Sequence, residues 1–382
     1  MRQSFEDKLI EIVKAIVVDG RSEAECRGPV DGMTPEERDA LLALARSHQM
    51  GHIVEYALQT VGEMDSAVSF FTSVAVTMQQ VDAVRAISSA LSREGIAHML
   101  LKGTVMRGMY PAEWMRNSCD IDVLVAREDL ERAGAVLVGM GYEQQGIVTV
   151  HDVGYIQENV RVELHYLLIE DYRMSPAAEV LGRVWDTAVR SGDGFSYAMP
   201  DEMFYFYHIA HMAKHFGDGG CGLRSFVDLW LLNHRCDFNR EAREKLLLAG
   251  GVLSFEEKAR QLSDYWFSDG SGEGLEFIEK YVLSGGAYGS TRAAEEVRMH
   301  RRGRVKYLFD RIFMPYSQLK KRYPSLDGKP YLLPFYEVVR WCSVLGKNRK
   351  KYVTELKADV IRTERTVEIE KMISDLGLDN FI

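Results

Sequence analysis

Residues 100–125 read LLKGTVMRGMYPAEWMRNSCDIDVLV, and this stretch decides the fold. It begins inside a short apolar run, IAHMLLKG (96–103), that is closed by Gly103. It ends in a second run, CDIDVLVA (119–126), with β-branched Ile121, Val123 and Val125 at alternate positions. Both runs read as strands. Between them, TVMRGMYPAEWMR (104–116) reads as a short helix. It should stop at Tyr110-Pro111, because the residue before a proline is pushed out of helical geometry. Downstream, REDLERAGAVLVGMGY (127–142) has the pattern of an amphipathic helix closed by Gly139 and Gly141. GIVTVHDVGYIQENVRVELHYLL (146–168) reads as two strands joined by a turn near Glu158-Asn159. The resulting strand–helix–strand–helix–strand–strand unit has about 80 residues, enough for a small α/β domain.

On either side the apolar period changes from two to three and four. DKLIEIVKAIV (7–17) and EERDALLALARSHQM (36–50) carry helical patterns. Met33-Thr34-Pro35-Glu36-Glu37 supplies an N-cap threonine, a first-turn proline and early acids. Ser66 to Ser92 reads as one long helix ending near Gly95. From about Ser175 the chain is again mostly helical. DEMFYFYHIAHMAKHFG (201–217) and LRSFVDLWLLNHR (223–235) flank the glycine-rich DGGCG, and GSGEG and SGGAYGS are loops. No internal repeat is present. The expected class is α+β: a small mixed-sheet core embedded in mostly α-helical N- and C-terminal regions. Its divisions are 1–92 (helical), 93–175 (α/β core), 176–290 (helical) and 291–382 (basic, helical).

Composition bounds the function. The chain has 382 residues, 46% hydrophobic and 27% charged, with nine prolines and no low-complexity tract, which excludes global disorder. The longest uncharged run, Ser66 to Val81, is too short and polar for a membrane span. The N-terminus carries acids in its first turns and lacks a long apolar core, so neither a secretory signal nor a transit peptide is expected. Cys26, Cys119, Cys221, Cys236 and Cys342 are scattered, odd in number and form no CxxC pair. That fits a reducing cytoplasm and argues against a disulfide framework or a zinc site. Net charge is −9, but from Glu295 to Lys351 fifteen Lys and Arg face five Asp and Glu, a local +10 that leaves −19 elsewhere. Such a tail suits solvated helical faces, docking onto the acidic body, or an anionic partner.

The chemistry sits on the second strand. Asp120 and Asp122 are two apart, so both carboxylates point to one face while Ile121 and Val123 point into the core. Paired carboxylates repel unless a cation lies between them, and Mg²⁺ favours one or two carboxylates plus phosphate oxygens and water. In Val160-Arg161-Val162-Glu163-Leu164-His165, Glu163 shares a face with Arg161 and His165. If this strand neighbours the first, Glu163 joins the aspartates, and three carboxylates around two Mg²⁺ ions make a phosphoryl- or nucleotidyl-transfer site. Upstream, Lys102, Gly103 and Thr104 stand where a strand turns into a helix. Backbone N–H groups there can hold phosphate, Gly103 permits close approach, and Lys102 and Thr104 add a cation and a hydroxyl. Arg116 could clamp phosphate or pair with an aspartate. Each feature alone has a plainer account as a strand end, a turn, a salt bridge or a surface carboxylate. Their order is far more specific.

That order, LKG, Tyr-Pro, Arg, DIDVLV and then an E-x-H strand, resembles an uncharacterised nucleotidyltransferase-like family of the DNA-polymerase-β-like nucleotidyltransferases. The likeness runs from about residue 95 to 235 and includes the helix with His211, Lys214 and His215 and the LRSFVDL segment. The resemblance implies Asp120 and Asp122 as the metal-binding pair and Glu163 as the third carboxylate, with two Mg²⁺ expected and Mn²⁺ as the substitute. Lys102-Gly103 occupies the place where better-studied nucleotidyltransferases carry Gly-Ser, a departure that bears on how the triphosphate is held.

His208, His211 and His215 share a helical face with Lys214 beside them. They read as a wall of the nucleotide or acceptor site, with Lys214 or His215 meeting phosphate. For His208 a bond to neighbouring backbone is the preferred account, and the aromatic run Phe204–Tyr207 reads as core. His165 is placed with the phosphate-binding group. The leading expectation is Mg²⁺-dependent transfer of NMP from an NTP, with ATP the expected donor, to a small-molecule, peptide or protein acceptor. A non-catalytic nucleotide-binding scaffold and a DxD glycosyltransferase are the alternatives. Nucleic acid is a weaker partner and a membrane is not expected.

Overall fold

The computed structural model describes residues 4–20, 28–62, 68–148, 152–169, 175–192, 194–217, 219–287, 323–326, 328–341 and 364–379, with isolated residues between 313 and 319. Two compact units emerge, one formed by residues 1–290 with 375–382 and the other by 291–374. Among the described residues no helix is long and apolar enough to cross a membrane. Cys119, Cys221 and Cys236 are not in disulfides. The basic segments 299–309 and 346–352 lie outside the described residues, as do Cys26 and Cys342.

In the first unit, α1 (Phe5–Val13) starts from a capping box between Ser4 and Asp7. α2 (Pro35–Ser47) starts from the expected Thr34, whose hydroxyl accepts from the Glu37 N–H while the Glu37 carboxylate accepts from the Thr34 N–H. α3 (Gly51–Thr60) follows. α4 (Val68–Arg93) is a single rod about 39 Å long. It ends at Gly95, whose φ of +68° turns the chain into β1 (His98–Leu100).

A seven-stranded sheet is the centre of the unit. β2 (Ile121–Val125) runs antiparallel to β1 and parallel to β5 (Val160–His165). Between β2 and β5 the chain forms α6 (Leu130–Gly139), β3 (Glu143–Val148) and β4 (Asp152–Gln157). The strand order is β3-β4-β5-β2-β1-β7-β6. Here β6 is Val189–Arg190 and β7 is Ser196–Ala198. The segment read as one strand over 146–157 is therefore two, with an irregular register between Gln144 and Val148. The expected turn at Glu158-Asn159 is present, with Glu158 at φ +50°.

Ile121, Val123 and Val125 of β2 and Val162 and Leu164 of β5 pack with Ile87 and Leu91 of α4 and with Ala133 and Leu137 of α6. That layer is one face of the sheet, held by apolar burial. The opposite face carries the acids. The linker from β1 to β2 is α5 (Lys102–Met106), a 3₁₀ turn at Arg107–Met109 that stops at extended Tyr110, and a second 3₁₀ turn at Glu113–Met115. After α7 (Pro176–Leu181) and α8 (Val184–Thr187) come the helices of the other wall. They are α9 (Asp201–Gly217), α10 (Leu223–Arg235), α11 (Arg240–Ala249), α12 (Leu253–Phe267) and α13 (Glu276–Gly285). α9 is buried on most sides. His48, fully buried, ties the N-terminal helices to this group: its Nδ1 accepts from the Leu223 N–H and its Nε2 bonds the Leu283 carbonyl.

In the second unit, Arg340 pairs with Glu337 at 2.7 Å and stacks over Trp341. Ser325 and Tyr336 share a hydrogen bond.

Candidate active site

The site begins at a backbone contact. The Leu101 N–H donates to the Asp122 carbonyl at 3.1 Å, which fixes the end of β1 beside β2. The next residue, Lys102, opens α5 at φ +43°. This region is unfavourable for a residue with a Cβ. From there its ammonium reaches Asp122 Oδ1 at 2.9 Å. Gly103 follows. A Cβ at that position would come within 3.1 Å of Ser118 Oγ and 3.3 Å of Arg116 Nη1, so glycine is what lets α5 nest against residues 116–118.

Parallel pairing brings Asp122 level with Glu163, and alternation puts Asp120, Asp122, Glu163 and His165 on the face turned away from the apolar layer. Asp122, Glu163 and His165 each offer a ligand atom within 4.8 Å of the others. His165 Nε2 stands 2.7 Å from Asp122 Oδ1 and 3.6 Å from Glu163 Oε2. Asp120 accepts from Ser118 Oγ at 3.1 Å.

Charge distinguishes the two aspartates. Burial pushes the Asp122 carboxyl up, but Lys102 and the His165 hydrogen bond outweigh it and hold it well below the usual carboxylate range. Asp120 moves the other way. Burial and the charges of Asp122 and Glu163 raise it, and Lys102 and Ser118 offset this only in part. Burial lowers Lys102, but Asp122 overrides it and the ammonium stays charged. His165 is likewise raised: burial opposes its charge, and bonds to Asp122 and Glu163 prevail.

Asp120 and Asp122 open onto a cavity of about 270 Å³ between the sheet and α9 and α10. Of the residues singled out in the sequence, Lys102, Gly103, Arg116, Asp120, Asp122, His211, Lys214 and His215 line it. Thr104, Glu163 and His165 do not. The Thr104 hydroxyl is buried without a hydrogen-bond partner among the described residues. Arg116 has a different engagement from a phosphate clamp. Its Nε and Nη2 grip Asp228 at 2.8–3.0 Å and its Nη1 donates to the Asn117 carbonyl. Asp228 thus carries Arg116 and also accepts from the Tyr110 hydroxyl at 2.6 Å. Arg224 reaches the Asn117 carbonyl. His208 bonds the Ser225 carbonyl, the backbone role expected for it. His211 and His215 share a hydrogen bond at 3.2 Å, and burial and the neighbouring His215 keep His211 well below its ordinary pKa.

Sequence reading placed Tyr207 in the core. The side chain is 1% exposed, but it lines the cavity, and its hydroxyl has no hydrogen-bond partner among the described residues. Its spacing of four from His211 was the available signal.

A family model described as an uncharacterised nucleotidyltransferase matches residues 34–268. The chain belongs to that family. The match spans the N-terminal helices from α2, the whole sheet and the helices through α12, so this nucleotidyltransferase-family region contains Lys102, Asp120, Asp122, Glu163, His165 and the α9 and α10 residues that line the cavity. No curated protein matches the chain, and no solved structure does.

Nucleotidyltransferases use divalent cations, and the donor set of this family member fits one. Carboxylate oxygens of Asp122 on β2 and Glu163 on β5 converge with a His165 ring nitrogen, and Asp120 stands two residues from Asp122 on the same face.

Proposed function

We propose that the chain is an Mg²⁺-dependent nucleotidyltransferase that moves NMP from an NTP, with ATP the expected donor, to a hydroxyl, amine or phosphate acceptor. The observation that carries this reading is the register of β2 and β5, which sets Asp122 beside Glu163 with Asp120 at the cavity wall. Asp120, Asp122 and Glu163 would hold the cation, with Mn²⁺ able to replace Mg²⁺. When bound, it would neutralise phosphate charge and acidify the acceptor.

The chain's own groups supply the rest. Lys214, His215 and the backbone at Gly103 orient the phosphates. Glu163 takes the acceptor proton. A bond forms between the acceptor atom and the α-phosphorus, the α–β bridging bond breaks, and pyrophosphate leaves. Wild type incubated with α-labelled NTPs, Mg²⁺ and candidate acceptors should release pyrophosphate and label one of them. Asp120→Asn and Asp122→Asn proteins, folded by circular dichroism, should not. Equal nucleotide binding in wild type and both variants would defeat the reading.

One observation favours a second reading. Asp122 Oδ1 already carries an ammonium and an imidazole, as suits a protein that binds nucleotide without turning it over. Tight Mg²⁺–NTP binding with no pyrophosphate across a broad acceptor panel would select it.

A further inference from the structure

The side chain at the start of α5 is built into the acid cluster. Lys102 Nζ lies 2.9 Å from Asp122 Oδ1, and its side chain is only 26% exposed. The same oxygen sits 2.7 Å from His165 Nε2. An oxygen bonded to both has little capacity left for a metal ion, so Asp122 cannot bridge two ions with both its oxygens while Lys102 stays in place.

The backbone shows that this placement is not incidental. Lys102 holds a left-handed conformation that costs a residue with a Cβ about 1–2 kcal/mol, and the Leu101–Asp122 backbone hydrogen bond pins it there. Strain retained at such a point marks a position where the side chain matters. Charge agrees. Asp120, Asp122 and Glu163 bring three carboxylates, Lys102 already supplies a cation among them and His165 bonds two of them, so the cluster needs less added cationic charge than three bare carboxylates would.

We propose that Lys102 is a resident cation that takes one of the two cation positions, so that this centre binds one divalent ion where three carboxylates alone would hold two. This rests on the nucleotidyl-transfer reading and fixes its metal count. The residue acts by positioning and charge, with its ammonium in place before nucleotide arrives.

The test counts Mn²⁺ bound per chain, by electron paramagnetic resonance of free Mn²⁺ and by calorimetry, with a non-hydrolysable NTP present. Wild type should bind one ion. Lys102→Met should bind two, and so should Lys102→Gln, whose neutral amide keeps a hydrogen bond to Asp122 if the methionine variant fails to fold. Two ions in wild type would overturn the inference and leave nucleotidyl transfer standing. One ion in every folded variant would also overturn it. No Mn²⁺ in any of them would bring down the transfer reading, and this inference with it.

Discussion

Arg116 and Asp228, 112 residues apart in the chain, meet in a buried two-pronged ion pair at 2.8–3.0 Å that joins the β1–β2 linker to α10. The Tyr110 hydroxyl completes it. Breaking one half of such a pair strands a charge in a low-dielectric interior, at a cost of about 3–5 kcal/mol. Asp228→Ala should therefore lower the urea midpoint sharply, whereas a combined Arg116→Met/Asp228→Leu replacement should recover most of the loss. Equal destabilisation by the single and the double change would show that the pair is not what holds α10 to the linker.

Asp120 is destabilising where it stands. Its carboxyl is raised by burial and by its acidic neighbours, so the folded protein holds that proton to higher pH than the unfolded chain does. Stability tied to this group is lost as pH rises above the ordinary aspartate range. In EDTA at pH 7.5, Asp120→Asn should match or exceed the wild-type Tm. With Mn²⁺ added, wild type should gain more than the variant. A lower Tm for Asp120→Asn in EDTA would contradict this account.

Tyr207 makes the opposite trade. In the free protein its hydroxyl is buried and lacks a partner among the described residues, so Tyr207→Phe should leave Tm unchanged or raise it by the equivalent of about 1 kcal/mol. If the hydroxyl meets bound nucleotide or acceptor, the same change should weaken Mg²⁺–nucleotide binding about five- to tenfold, since a hydrogen bond contributes about 1 kcal/mol. Fluorescence titration with a labelled nucleotide reads this directly. Unchanged affinity would return Tyr207 to the core.

His52 governs an acid sensitivity. Its Nδ1 accepts from Asn117 and its Nε2 bonds the Met115 carbonyl. Burial, with help from Arg224 and Arg116 and against the pull of that carbonyl, lowers it to about 4. Between about pH 6.5 and pH 4 the unfolded chain takes a proton that the folded protein refuses. Stability therefore falls as pH drops through that window, by up to about 3 kcal/mol from this group. Comparing urea midpoints at pH 7.5 and pH 5, His52→Gln should lose less than wild type. An equal loss would place the sensitivity elsewhere.

The parts of this architecture legible in sequence were those encoded by short-range pattern. Alternation along Ile121–Val125 and Val160–His165 revealed the faces of both strands, and hence the company of Asp120, Asp122 and Glu163. Thr34-Pro35 marked a helix start because capping is local chemistry. The two-residue β6 and three-residue β7 escaped, because so few residues carry no period and their pairing depends on distant β1. Arg116 was open to two readings because its partner lies on another element. Tyr207 was read as core because an aromatic residue buries its ring whether or not its hydroxyl faces a ligand. Asp122 and Glu163 lie together with His165, which the sequence had placed with the phosphate-facing residues, while Asp120 faces the cavity and Thr104, Glu163 and His165 lie off its wall.

The sheet order also has a practical side. Everything between β2 and β5 leaves the middle of the sheet, runs out through α6 and β3, and returns through β4 to the Glu158-Asn159 bend. Asp120 and Asp122 lie where this excursion departs and Glu163 on the strand where it ends, and Glu158 and Asn159 are exposed at the last bend before that strand. A fluorophore attached at that exposed bend, four residues before Glu163 and at the Asp120 end of β2, should therefore sense nucleotide added to the protein through the strand it shares with the acid cluster.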